Sequence, residues 1–487
     1  MPLAEPLESP RKLHLNTMAS FGVGEIAFQL HNMGMSLLLL FYYQQVIGLS
    51  GTLTGAALMM SMVVDAITDP LIGGWSDRFK SRFGRRHPFI LASSVPLAIS
   101  FVLLFSPPES FGDTGNFIWL AVFSVLVKLS VTFYYVPHMA LGAEMAQDYN
   151  QRSTLFAFNG LIGATTAATT HFLIYMFVFP TTETFDPGML DPDGYPRFAW
   201  GSAIIITAAL AFTVWGTRRE IPYLRNTEAD SRLSFGEIFS DMVAMFKNRN
   251  FFILFIATFL IGIHGGVQEV FQIYLVLHFW EFKTEEYGWL GPLMLTAFLL
   301  AFLITPSLTK RFDKKRTLVF ATSIQVFIPS VMVGLRLLEV PWFPANDSDW
   351  ILILFFATTY VQMMCNPVAG ATIFSMFADI ADEHELHSGK RREGAVYAAR
   401  AFSSKALAGV GTMIGGVLLD VIQFPSNADA GSVSAEIVWR LGFIAGPAIS
   451  MIALLGIGLF FYHNLNRSRH AEISRQLAER KSRHHMA

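Results

Sequence analysis

The stretch VVDAITDPLIGG at 63–74, running on into WSDRFKSRFGRR at 75–86, decides how the chain is read. Its first part belongs to an apolar run, residues 51–76, and about 20 apolar residues suffice to cross the hydrocarbon of a bilayer. Two aspartates, Asp65 and Asp69, stand inside that run. Spaced by four residues, they lie one turn apart on one face of a helix. Each charge placed at a bilayer centre costs about 2.5–3.5 kcal/mol on insertion scales, which makes such groups functional candidates. Two carboxylates this close repel each other and call for a bound cation, a proton or a neighbouring lysine. The second part carries Arg78, Lys80, Arg82, Arg85 and Arg86 directly after the span, the mark of a cytoplasmic loop.

Working outward, the same apolar character runs through the whole chain. Of 487 residues, 53% are hydrophobic and 15% charged, against about a quarter charged in soluble proteins. Mean hydropathy is +0.44. A disordered chain, a disulfide scaffold (Cys365 is the one cysteine) and a typical soluble enzyme are excluded. Spans are expected near 18–46, 51–76, 88–106, 116–145, 153–180, 199–217, 251–280, 287–308, 317–338, 350–379, 394–424 and 437–464. The expected fold is an all-α membrane protein of twelve transmembrane helices. Pro137, Pro367, Gly265 and Gly266 inside the runs fit kinked helices. The first residues are polar, with no apolar segment and cleavage site before the first span, so no cleaved signal peptide is expected.

Sidedness follows from lysine and arginine. One side collects the loop at 78–86, Arg218 to Arg249, Lys310 to Arg316, Lys390 to Arg392 and the tail from Arg467 to Arg483. The other holds Arg197 and Lys283, with Arg336 and Arg440 near helix ends. Both termini are therefore expected in the cytoplasm, and the protein in the plasma (bacterial inner) membrane. The long connection at 218–250 divides the chain into an N-terminal six-helix part, 1–217, and a C-terminal one, 251–465, with a basic, solvated cytoplasmic tail at 466–487. Within the connection, Ser234–Lys247 has helical apolar spacing suited to the membrane surface. The turns GGWSDRFKSRFGRR and PSLTKRFDKKR follow spans two and eight, an echo of the internal repeats on which secondary transporters are built.

No phosphate-binding loop, H-E-x-x-H or cysteine–histidine cluster is encoded, so any work must draw on gradients. Other charges lie within spans. Lys405 in span eleven is a natural partner for the aspartates. Lys128, Thr132 and Tyr135 fall on one stripe of span four. Thr132 either supplies a neutral oxygen to a hard cation or bonds its own backbone. Lys128 and Arg400 either suit an anionic substrate group or pair with Glu25 and Glu269. The histidines His31, His138, His171 and His264 read as core residues. Asp77 with Arg78, and Asp379, Asp382 and Glu383 beside a basic loop, read as cytoplasmic ion pairs that latch the halves.

These residues resemble a family. DAITDPLIGGWSDRFKSRFGRRHPFI and, separately, ADIADEHELHSGKRREGAVYAARAFSSK are similar to two signatures of the glycoside–pentoside–hexuronide:cation symporters, a branch of the major facilitator superfamily. The resemblance implies two six-helix bundles with alternating access, a monomer, and uptake of a sugar or glycoside coupled to sodium or a proton. It implies that Asp65, Asp69 and Thr132 bind the coupling cation and that Lys405 couples to it. Thr68 stands where melibiose permease has an asparagine. Gln29 and Tyr135 fall where that protein uses two aspartates on its sugar, Met139 where it has a stacking tryptophan, and Gly160 near its helix-five arginine. Substrate contacts are thus expected from Gln29, Lys128, Tyr135 and Arg400, with an acidic sugar favoured. Asp77, Arg78, Arg85, Arg86, Asp379 and Asp382 are expected at the cytoplasmic gate. A related branch, the sodium-dependent lysophospholipid symporters, shares T-D-P-L and the helix-eleven lysine, and gives the alternative substrate class. Expected partners are the small-molecule substrate, the coupling cation and membrane lipids, with no nucleic acid and no resident cofactor. A membrane enzyme would need a nucleophile–base pair or metal ligands at one depth, and a non-transporting scaffold would have lost the aspartates or the lysine.

Overall fold

The computed structural model describes residues 12–146, 148–224, 245–388, 409–429, 431–464, 469–473, 475–477 and 479. Among these no strand occurs. Ten helices are long and apolar enough to cross a membrane: α2 (Gly51–Arg78), α3 (His87–Leu104), α4 (Asp113–Met145), α5 (Asn150–Val178), α6 (Gly194–Tyr223), α7 (Arg249–Phe279), α8 (Thr284–Phe312), α9 (Lys314–Leu337), α10 (Asp349–Glu383) and α12 (Ala435–Phe460). Before them, α1 (Leu15–Met33) continues as helix through two π turns, Gly34–Leu38 and Tyr42–Val46. Between α10 and α12, α11 is described over Gly409–Val421.

The exterior is apolar and the interior partly polar, the reverse of a soluble core. Ile204, Phe302, Leu303, Met451 and Leu455 stand exposed, while Glu25, Asp65, Thr132, His138 and Asn159 are buried. Where lipid is the solvent, packing and hydrogen bonds between helices hold the fold rather than burial of apolar side chains. Hydroxyls on the helices bond back to their own backbone, as Ser130 does to the Leu126 carbonyl at 2.8 Å and Thr305 to that of Ala301 at 2.6 Å; this removes a donor that lipid cannot satisfy.

Two compact units make up the chain. One comprises residues 1–35, 67–170 and 193–230, the other 36–66, 171–192 and 231–487. The division runs through α1, α2 and α5. Each of these three helices is irregular near that place. The π turn Gly34–Leu38 spans it in α1, and the π turn Ile174–Val178 lies just beyond it in α5. In α2, Pro70 offers no N–H to the Ala66 carbonyl one turn back.

Within the second unit, the start of α2 packs on α11 with so little room that a Cβ on Gly55 would come 2.9 Å from the Met413 Cα. A matching pattern ends α1 and α7. Ile47 N–H reaches the Tyr42 carbonyl at 3.0 Å and Leu49 N–H that of Tyr43 at 2.8 Å; Trp280 N–H reaches Leu275 at 2.7 Å and Phe282 N–H reaches Val276 at 2.9 Å. Helices start at Gly51 and Thr284, at the same spacing after each pattern. This repetition is a backbone counterpart of the echo between the basic turns.

The tail departs from the expectation of a solvated extension. Ile473 and Leu477 are buried in a cluster with Met245, Phe251, Leu318 and Phe460. Their spacing of four presents one apolar face, which the basic residues around it obscure in the sequence. Residues 234–244 of the expected surface helix lie outside the described residues.

Candidate functional site

In the first unit, α2 and α4 bring together two of the expected cation ligands. Thr132 is 1% exposed, and its hydroxyl lies 3.1 Å from the Asp69 Oδ1 and 3.1 Å from the Lys128 carbonyl. It has one proton to give, so donation to either leaves its lone pairs free for a cation. Thus the backbone bond expected of Thr132 is available at the same hydroxyl that lies beside Asp69. Asp65, one turn earlier on α2, is buried, and Asp69 is half-buried. The Asp69 carboxylate and the Thr132 hydroxyl are hard oxygen donors of the kind that suits sodium; a carboxylate equally suits a proton.

Further along the same unit, α1, α4 and α5 enclose a second polar group. Glu25, 5% exposed, accepts from the Asn159 Nδ2 at 2.7 Å and from the Gln29 Nε2 at 3.1 Å. Among the described residues no lysine or arginine pairs with it, so the expected alternative of a Lys128–Glu25 pair is not formed. Beside Gln29, the Phe28 ring stacks on Tyr135 with centroids 4.1 Å apart. Tyr134 donates to the Gly24 carbonyl, and His138 stacks on Phe21 at 4.2 Å. A half-buried tyrosine ring and an amide are groups of the kind that stack on a pyranose face and hydrogen-bond its hydroxyls.

The basic loop after α2 closes on its own unit. Arg86, 4% exposed, donates to the Ser76 Oγ at 2.5 Å and to the Glu144 Oε1 at 2.9 Å, and pairs with Asp77. Arg85 reaches the same Glu144 at 3.0 Å. Arg78 is exposed. In the second unit, Lys314 binds Asp379 at 2.6 Å, and His470 lies 3.1 Å from Asp382 and 3.4 Å from Asp379. The expected gate residues are therefore joined by three that sequence reading passed over: Glu144, Lys314 and His470. Glu144 carried a signal, an acid at the basic-side end of span four. His470 carried none, because its aspartates are distant in sequence. Arg400 and Lys405 lie outside the described residues.

Comparison with known proteins bears on what such a molecule is. A family model described as MFS/sugar transport protein matches residues 20–467. A putative glycoside/cation symporter of Escherichia coli strain K12 is 25% identical over 477 residues, covering 97% of this chain and 96% of its own. The isoprimeverose transporter of Lactiplantibacillus pentosus is 24% identical, covering 91% and 87%. A putative sulfoquinovose importer of Escherichia coli strain K12 is 24% identical, covering 97% and 95%. Among solved structures, the nucleoside transporter NupG aligns with a TM-score of 0.62 at 12% identity, covering 92% and 99%. The inward-open xylose transporter XylE of E. coli aligns at 0.52 and 14% identity, covering 93% and 94%; both likenesses speak for the fold. The protein is accordingly a multi-pass integral inner-membrane transporter, not an enzyme. By the breadth of the family match, the chain belongs to the MFS/sugar transport proteins, among symporters of the glycoside–pentoside–hexuronide type.

Proposed function

We propose that the protein imports a sugar or glycoside, an acidic one by preference, coupled to sodium or a proton. In this reading twelve spans form two six-helix bundles with both termini in the cytoplasm, and the monomer works by alternating access. The observation that carries the proposal is the Thr132 hydroxyl beside Asp69 on the helix that also bears Asp65. A cation entering there neutralises the carboxylates and loosens their hold on Lys405. Substrate then binds at Gln29 and Tyr135, with Lys128 and Arg400 as the positive pole, and the loaded bundles rock inward. Coupling follows because a half-loaded carrier would bury an uncompensated charge or an empty polar site. Asp77, Arg78, Arg85, Arg86, Asp379 and Asp382 hold the cytoplasmic end. The relatives' names, which include glycosides and a sulfonated sugar, support the sugar reading over lysophospholipid.

The test is thermal stabilisation of purified protein by neutral glycosides, hexuronides, sulfoquinovose and lysophospholipids, each with and without sodium, since a ligand of the native state raises Tm. Stabilisation by acidic sugars, larger with sodium, supports the proposal. A response to lysophospholipid alone overturns it.

A further inference from the structure

Glu25 has no role in the mechanism above, yet its setting among the described residues calls for one. Its carboxylate is buried, and its two hydrogen bonds come from neutral amides, Asn159 and Gln29. Gly163 presses on its stem from α5, where a Cβ would come 2.7 Å from the Glu25 Cγ, so the side chain cannot swing that way. Among the described residues, the groups facing it are few. From α4 come Tyr134, whose hydroxyl is spent on Gly24, then Tyr135 and His138, with Lys128 about two turns from Tyr135. From α5 comes Asn159, which also faces the His138 ring. On α6 the charged residues Arg218, Arg219 and Glu220 sit at the far end, where Glu220 meets Thr17. None of these cations pairs with Glu25.

An ionised carboxylate supported by two amide donors alone is costly in such a place. A protonated one is not, because its O–H finds an acceptor once the Gln29 amide turns its oxygen towards it; which end of an amide faces a partner is set by the hydrogen-bond network. We propose that Glu25 is a proton-binding site of the transport cycle, separate from the Asp65/Asp69 pair, whose protonation sets the direction of the Gln29 amide and with it the affinity for substrate. Ionised, Glu25 holds one Gln29 N–H to itself. Protonated, it takes the amide oxygen and leaves both N–H donors of the amide for a substrate oxygen. Proton and substrate then bind with mutual support, so affinity falls as pH rises through the range in which Glu25 loses its proton. Glu25 acts through Gln29 as a positioning residue. The proposal rests on the sugar-transport reading of Gln29.

Two measurements test it. Infrared difference spectroscopy of the purified full-length protein across a pH titration reads the carbonyl stretch of a protonated carboxylic acid without any substrate. Glu25→Gln is expected to remove one such band, and Asn159→Ala to shift it, which serves if the first variant is not recovered folded. A spectrum unchanged in both variants overturns the proposal. Uptake of isoprimeverose and sulfoquinovose at fixed sodium and varied pH is the second. Native KM is expected to rise with pH by up to about tenfold per unit within the titration range, and Glu25→Gln to hold the low-pH value throughout. A KM profile unaltered by Glu25→Gln leaves the proton a structural one and overturns the role in the cycle. Absence of uptake of either sugar, with the infrared band still lost in Glu25→Gln, counts against the sugar reading instead and confines Glu25 to proton binding, against its proposed link to substrate.

Discussion

The Asp420 carboxylate at the end of α11 caps α2 at Thr52: its Oδ2 accepts the Thr52 N–H at 2.7 Å, and its Oδ1 accepts that of Gly51 at 2.8 Å. The first N–H groups of a helix have no partner within it, and a carboxylate both satisfies them and meets the positive end of the helix dipole. Here the cap comes from a helix more than three hundred residues away, so it ties two elements as well as ending one. Asp420→Ala is expected to cost about 1–2 kcal/mol, read as a lower Tm. In a Cys365→Ser background, a cysteine at the buried Thr54 should react faster with an impermeant maleimide when Asp420 is removed. Equal rates would show that the glycine-lined contact around Gly55 holds without the cap.

At the cation site, Asp69→Asn is expected to abolish gradient-driven accumulation while leaving expression and Tm near native. Thr132→Val, which keeps the shape and removes the hydroxyl, should weaken cation affinity about tenfold, or about 1.4 kcal/mol, and Thr132→Ser should restore it. Cation-dependent thermal stabilisation measures both. Full accumulation by Asp69→Asn would remove this site from the mechanism.

Arg86 is buried among Asp77, Ser76 and Glu144, and Glu144 is itself only 12% exposed. Removing the arginine leaves that carboxylate uncompensated, so Arg86→Met is expected to cost about 3 kcal/mol or more. Adding Glu144→Gln should recover part of the loss. Additive losses in the double variant would mean the two residues do not depend on each other.

His463, just after α12, is 2% exposed. Burial, reinforced by the Lys315 charge and opposed by Glu383, pushes its pKa down to about 4. Lys315 also holds the turn there by donating to the Phe461 and His463 carbonyls at 2.8 and 3.0 Å. Above the ordinary histidine range neither state binds the proton and the stabilisation is complete. As pH falls from about 6.5 towards 4, the undocked segment takes up a proton that the folded one refuses, and about 3 kcal/mol is lost. The Tm of the native protein should fall across that window, and His463→Leu should flatten the change. Identical slopes would place the acid sensitivity elsewhere.

The ten long apolar helices and the transporter class were legible because each is written locally, in apolar run length and in a contiguous motif. Thr132 was found because helical spacing put it on the stripe of Lys128 and Tyr135. What escaped depends on distant partners. Nothing near Asp420 announces that it caps Thr52, and nothing near His470 announces Asp379 and Asp382. Glu25 was noticed as a charge in a span, but its neutral setting could not be read, since Asn159 is an unremarkable polar residue until α5 is laid against α1. The burial of Ile473 and Leu477 was hidden by the surrounding arginines and lysines.

The irregular turns at Gly34–Leu38, at Pro70 and at Ile174–Val178 have a mechanical meaning. A regular α-helix is a stiff rod that transmits torque along its length, and a π turn or a missing hydrogen bond is where that stiffness drops. Such a place falls within each of α1, α2 and α5, and a helix so interrupted bends there more readily than along its regular turns. Straightening a joint, by Pro70→Ala in the simplest case, should therefore stiffen the molecule and slow turnover more than it alters the affinity for anything bound.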